Sequence, residues 1–159
     1  MERYAKPKQL SDVAKAYANV TKHALEQDDI NLAEATLRRS LKVSKSIDND
    51  RLETLQFLST ICFTKDLASE IYYEVGLEMI NAGLAEALEA FKISNAFASD
   101  SQNSFYSKSL YQIAKLMFEE EKLSKASQQI ETALNYGLNN LQVDGLVLSG
   151  QIKEVRGYL

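Results

Sequence analysis

Residues 107–140 read SKSLYQIAKLMFEEEKLSKASQQIETALNYGLNN. Leu110, Ile113, Ala114 and Met117 recur at helical spacing and share one face of a first helix. Ala126, Ile130 and Ala133 do the same on a second, across a short polar turn. Small residues at Ala114 and Ala126 allow the two axes to approach closely. The stretch therefore predicts an antiparallel pair of amphipathic helices.

On those residues the stretch resembles a tetratricopeptide repeat, a helix–turn–helix unit of about 34 residues. That pattern asks for a large apolar residue, Leu–Gly/Ala and an aromatic in the first helix, then Ala, an aromatic and Ala in the second. The slots here hold Leu110, Ile113–Ala114, Met117, Ala126, Ile130 and Ala133. Aliphatics replace the aromatics, and Leu138 stands where the closing proline is usual. A weaker match covers residues 14–47, with Tyr17, Val20, Thr21, Ala24, Ala33, Leu37 and Ser40 in the same slots. A third covers 69–101, with Tyr72, Val75–Gly76, Met79, Ala87, Phe91 and Ser94, and a turn one residue shorter. Gly76 in mid-helix costs about 1 kcal/mol against alanine, and a close helix crossing accounts for it. The resemblance implies an all-α chain of TPR-like helix pairs stacked in a right-handed superhelix of about eight helices.

Outward from these units, residues 1–9 read as a loose leader and 10–159 as a single helical-repeat domain. Ser11 or Asp12 would cap a first helix running to about Glu26, its apolar side being Val13, Ala14, Tyr17, Val20 and Ala24. Asp29 is placed to cap the second, which carries Ile30, Ala33 and Leu37 inward. Residues 48–68 exceed the repeat. They contain either an extra helix over about 51–63, recapped at Thr64 or Asp66, or the start of one long helix from Arg51 to Asn81. Residues 99–103 are a polar connector. After Gly137, a helix stop, a capping helix over about 141–157 offers Val143, Leu146, Val147 and Ile152 as its apolar face. Lys153, Glu154 and Arg156 suit the polar outer side that a terminal repeat needs.

Composition narrows the functional classes. A single proline and six glycines among 159 residues favour long helices with few breaks. The formal charge of −4 argues against general nucleic-acid binding, which depends on neutralising phosphates. No segment is long and apolar enough for a bilayer, and the first residues lack a signal-like apolar run, so the expected compartment is the cytoplasm. Cys62 is the lone cysteine and sits in an apolar run, where a reduced buried thiol is expected. His23 is the lone histidine. With no glycine-rich phosphate loop and no His-based metal cluster, neither an enzyme nor a bound cofactor or metal is expected.

The resemblance places ligands in a concave groove lined by the first helix of each unit. Position by position, its slots fall on Lys15, Ala18, Asn19 and Lys22; on Glu70, Tyr73, Glu74, Leu77 and Asn81; and on Lys108, Tyr111, Gln112, Lys115 and Phe118. Asn19, Lys22, Glu70, Tyr73, Glu74, Asn81, Tyr111, Lys115 and Phe118 are the candidate partner-binding residues. The carboxylate clamp used by some family members is incomplete, with Ala18 in place of its first lysine. Between Asp66 and Glu89 there are six acids and no base, and Glu70, Glu74 and Glu78 share a helix face. That stripe offers a docking face for a basic peptide, or for the Lys/Arg-rich N-terminal unit of a second copy. The expected function is a non-catalytic scaffold that binds a peptide or protein segment. The alternatives are the peptide-sensing portion of a bacterial pheromone-receptor-like regulator and a small helical-repeat chaperone for a secretion system.

Overall fold

Apolar residues at helical spacing, separated by short polar turns, build the chain in hairpins. The computed structural model describes residues 7–157. Among the described residues there are eight α-helices and no strand: α1 (Pro7–Glu26), α2 (Ile30–Ser44), α3 (Arg51–Ser59), α4 (Lys65–Asn81), α5 (Ala87–Ser101), α6 (Phe105–Glu119), α7 (Leu123–Tyr136) and α8 (Gln142–Val155). The closest packing joins α1 to α2, α4 to α5 and α6 to α7; α5 packs on α6, and α3 links the first pair to α4. The result is an all-α, repeat-like bundle.

Three of its turns are copies of one another. Asp28, Gly83 and Glu121 all lie in the left-handed region, at φ of 57°, 70° and 61°. The following residue closes the helix each time: Asp29 N–H donates to the Ala24 carbonyl, Leu84 to Met79 and Lys122 to Met117, at 2.8–2.9 Å. This is the six-to-one bond of a Schellman stop, which satisfies carbonyls orphaned at a helix end. Asp29 then caps α2, accepting from Leu32 N–H at 3.1 Å.

The pairs cross on small side chains. Ser40 Oγ donates to the Ala14 carbonyl at 2.7 Å, and Ser94 Oγ to the Ser69 carbonyl at 2.6 Å. In the third pair Ala133 takes the serine's slot and is fully buried, as are Ala114 and Ala126. Gly76 has the reason its position suggested, since a Cβ there would lie 2.6 Å from the Phe91 ring. Thr21 and Thr36 bridge α1 and α2 through their hydroxyls at 2.8 Å.

The excess segment folds as a separate helix. α3 ends at Ser59, and the Thr64 hydroxyl accepts from Leu67 N–H at 3.3 Å to start α4. α3 packs on α1, α2 and α4, and its Leu55 and Leu58 share a core with Leu37, Leu41, Leu67 and Ile71. It thus bridges the first pair and α4.

Four expectations are corrected. Pro7–Gln9 belong to α1, so the expected leader is helical over those three residues; residues 1–6 lie outside the described residues. Ser11 is consequently inside α1, its hydroxyl 3.4 Å from that of Thr54. Val20 and Ile30, read as inward, are exposed. The 99–103 connector shrinks to three residues, since α5 runs to Ser101 and Gln102 turns the chain at φ 52°.

The turns provide a paired test. A left-handed conformation costs a non-glycine residue roughly 1 kcal/mol. Glu121→Gly should therefore raise stability by up to about 1 kcal/mol and Gly83→Ala lower it by a similar amount, measured by urea denaturation. Equal shifts of one sign would show that the turns are not equivalent.

Candidate functional site

The last helix positions the site, and two glycines of opposite character decide how it sits. A Cβ on Gly145 would lie 2.4 Å from Leu138 Cδ1 and 3.0 Å from Leu134 Cδ2, whereas one on Gly150 would meet nothing within 4 Å. Gly145, Leu148, Ser149 and Ile152 form the buried side of α8. Glu131 on α7 accepts from Ser149 Oγ at 2.7 Å and lies 3.8 Å from Lys153 Nζ. The expected face of this helix holds at Ile152, which is buried, and fails at its other three residues. Val143, Leu146 and Val147 are 71%, 56% and 55% exposed, and Lys153, expected on the polar outer side, is exposed and also reaches Glu131 on α7. Apolar residues occur on both sides of α8, so periodicity had no means of choosing; the close approach at Gly145 chooses.

This phase opens a cleft of about 250 Å³ between α6 and α8. From α6 come Tyr111, Lys115, Phe118 and Glu119, and from α8 Asp144, Val147, Leu148 and Gln151. Its floor is aromatic and aliphatic, and its mouth carries one ammonium against two carboxylates. Burial, and secondarily the Asp144 carboxylate, hold the Tyr111 phenol above its ordinary pKa, so Tyr111 stays neutral. Three expected groove residues, Tyr111, Lys115 and Phe118, are brought together here. The four from α8 are not among the expected residues, because spacing alone selects Val143, Leu146, Val147 and Ile152 as the packed face.

The other expected residues do not join them. Asn19 borders a separate small cleft with Lys15, Glu53 and Phe57, and Lys22 Nζ stands 5.9 Å over the Phe57 ring, so both residues of α1 lie beside α3. Tyr73 is buried: its ring lies 5.6 Å from Phe91 and 5.3 Å from Phe105, and its hydroxyl accepts from Gln112 Nε2 at 3.2 Å. A partner cannot use it as an anchor. Ala18 and Gln112 are buried too. Asn81 lies at the end of α4, its amide 3.4 Å from Glu78 Oε1.

The acidic stripe is not without cations. Lys45 Nζ, from just beyond α2, lies 2.6 Å from Glu70 Oε1 and 3.7 Å from Glu74 Oε1. Arg51, at the start of α3, lies 2.8 Å from Glu78 Oε1. The counter-charges come from residues distant in sequence. The stripe therefore ties α4 to the preceding helices and offers no unpaired row of acids to a basic peptide.

A larger, neutral cleft of about 420 Å³ lies among Ser99, Gln102, Tyr106, Thr132, Asn135 and Tyr136. The Tyr106 and Tyr136 rings, 4.8 Å apart, pack on each other beside it. No group of three or more His, Cys, Asp or Glu among the described residues could hold a metal ion, and no described helix is long and apolar enough to cross a membrane. His23 lies 3.8 Å from Glu26; Cys62 donates to the Ser59 carbonyl at 3.2 Å, and burial raises its pKa. Protein-family models, curated proteins and solved structures include no match to this chain.

Two tests address these placements. Gly150→Ala should stabilise the fold by up to about 1 kcal/mol through helix propensity, while the crowding at Gly145 should cancel or reverse that gain for Gly145→Ala; thermal melts of dilute protein compare them. Glu74 is the second case. Burial raises its carboxyl pKa, with Lys45 pulling the other way. A raised folded pKa means that the native state binds the proton more readily, so the charged form works against stability above that pKa. Glu74→Gln should raise the urea midpoint at neutral pH, and the gain should shrink as pH falls through the carboxylate range. A gain that grows on acidification would contradict burial as the cause.

Proposed function

We propose that the chain is a non-catalytic interaction module of the tetratricopeptide-like class that takes a peptide or protein segment in the α6–α8 cleft. The single supporting observation is the convergence of Tyr111, Lys115 and Phe118 with the apolar outer side of α8. Aromatic side chains beside an aliphatic floor supply binding energy at small entropic cost. A bulky apolar side chain of the ligand seats against Phe118, Val147 and Leu148. The two carboxylates at the mouth favour a basic residue next to that anchor, and Lys115 donates to an acceptor such as a backbone carbonyl. The three copied turns and the serine crossings of the first two pairs support the repeat kinship. Any charge preference then originates at Glu119 and Asp144 and not in the Glu70–Glu78 stripe.

The experiment is selection of peptides from a random displayed library, followed by affinity measurements on the chain and two variants. Phe118→Ala should weaken the selected peptides at least about tenfold, about 1.4 kcal/mol, through faster dissociation. Lys115→Glu should speed association of basic peptides, an effect lost at high salt. Peptides that bind both variants as they bind the parent chain would move the function away from this cleft.

A further inference from the structure

The cleft of about 420 Å³ among Ser99, Gln102, Tyr106, Thr132, Asn135 and Tyr136 has no part in the peptide reading. Its volume falls within the range of small-molecule sites. It is assembled where three helices end or begin: Ser99 near the end of α5 and Gln102 just beyond it, Tyr106 in the first turn of α6, and the rest near the end of α7. The Tyr136 hydroxyl donates to the Gln102 carbonyl at 3.4 Å and so ties the end of α7 to the α5–α6 turn.

We infer that this cleft binds a neutral mono- or disaccharide. Three properties of its lining select that chemistry. First, no lining residue is charged at neutral pH and none is Leu, Ile or Val. An ion would find no counter-charge to offset its desolvation, and an aliphatic peptide anchor would find no matching floor. Second, the polar groups are unspent. Among the described residues the side chains of Ser99, Gln102 and Asn135 and the Tyr106 hydroxyl meet no hydrogen-bond partner. Thr132 Oγ1 donates to the Gln128 carbonyl at 2.9 Å, which leaves its oxygen free to accept. Amides and hydroxyls each donate and accept, as neighbouring sugar hydroxyls require. Elsewhere the amides between helices are already committed, as at Asn95, Asn103 and Gln112. Third, aromatic surface is available. Tyr136 is half-exposed, and its ring can take the C–H face of a sugar while the polar groups meet the hydroxyls at the rim. A flat base is disfavoured, because the Tyr106 and Tyr136 rings, 4.8 Å apart and tilted by 59°, leave no slot between them. The chain's net negative charge also opposes a phosphate-bearing ligand.

Saturation-transfer NMR of the full chain with glucose, cellobiose and N,N′-diacetylchitobiose tests this. At least one of the three should receive saturation, strongest at the ring C–H protons that face the tyrosine. Asn135→Ala removes an exposed amide, and Tyr136→Ala removes the stacking surface. Each should weaken the bound sugar at least about tenfold, with helical circular dichroism unchanged. Tyr136→Phe keeps the ring and should keep most of the affinity. Phe118→Ala, in the α6–α8 cleft, should leave sugar binding intact, so failure of the peptide site and failure of this one are read separately. No saturation of any of the three sugars, or binding by Asn135→Ala and Tyr136→Ala equal to that of the parent chain, would overturn the inference. Selected peptides that lose binding in Asn135→Ala and keep it in Phe118→Ala would also overturn it, by making this cleft a peptide site.

Discussion

Close approach of helix axes through small residues is the constraint on which the rest depends. Where Ser40 reaches the Ala14 carbonyl and Ser94 the Ser69 carbonyl, no larger side chain could fit without moving a helix. Interiors are packed too densely to absorb such a change. Gly76 under Phe91 and Gly145 under Leu138 are the extreme cases. These contacts fix the depth at which paired helices nest, and so fix which side chains remain on the outside. The α6–α8 cleft is a consequence: its walls are the residues left over when Gly145 draws α8 onto Leu134 and Leu138.

The inserted α3 has the opposite effect on the first half. It supplies Leu55 and Leu58 to the core between α2 and α4, and Arg51 at its start pairs with Glu78. Beside α1 it lines a small cleft with Lys15, Asn19, Glu53 and Phe57, separate from the cleft between α6 and α8. Partly buried pairs such as Arg51–Glu78 are screened less than surface pairs, so the acidic face of α4 works as a joint between helices.

What the sequence by itself determined is the helical class and the pairing. Leu110, Ile113, Ala114, Ala126, Ile130 and Ala133 share faces at helical spacing, and all six are buried. Asp29, Thr64 and Gly137 mark helix ends through chemistry that is local to a few residues. Tertiary structure decided the rest, wherever the deciding contact lies far along the chain. Two of the three equivalent turns use Asp28 and Glu121 where glycine would have announced the conformation. The cations that meet Glu70, Glu74 and Glu78 come from residues 45 and 51, invisible to a pattern confined to one helix. Tyr73 looked like a groove residue until Phe91 and Phe105 closed around it. Helix α8 has apolar residues on two sides, and periodicity cannot rank two stripes; only the space at Gly145, set by Leu134 and Leu138, determines which stripe is buried and which faces outward.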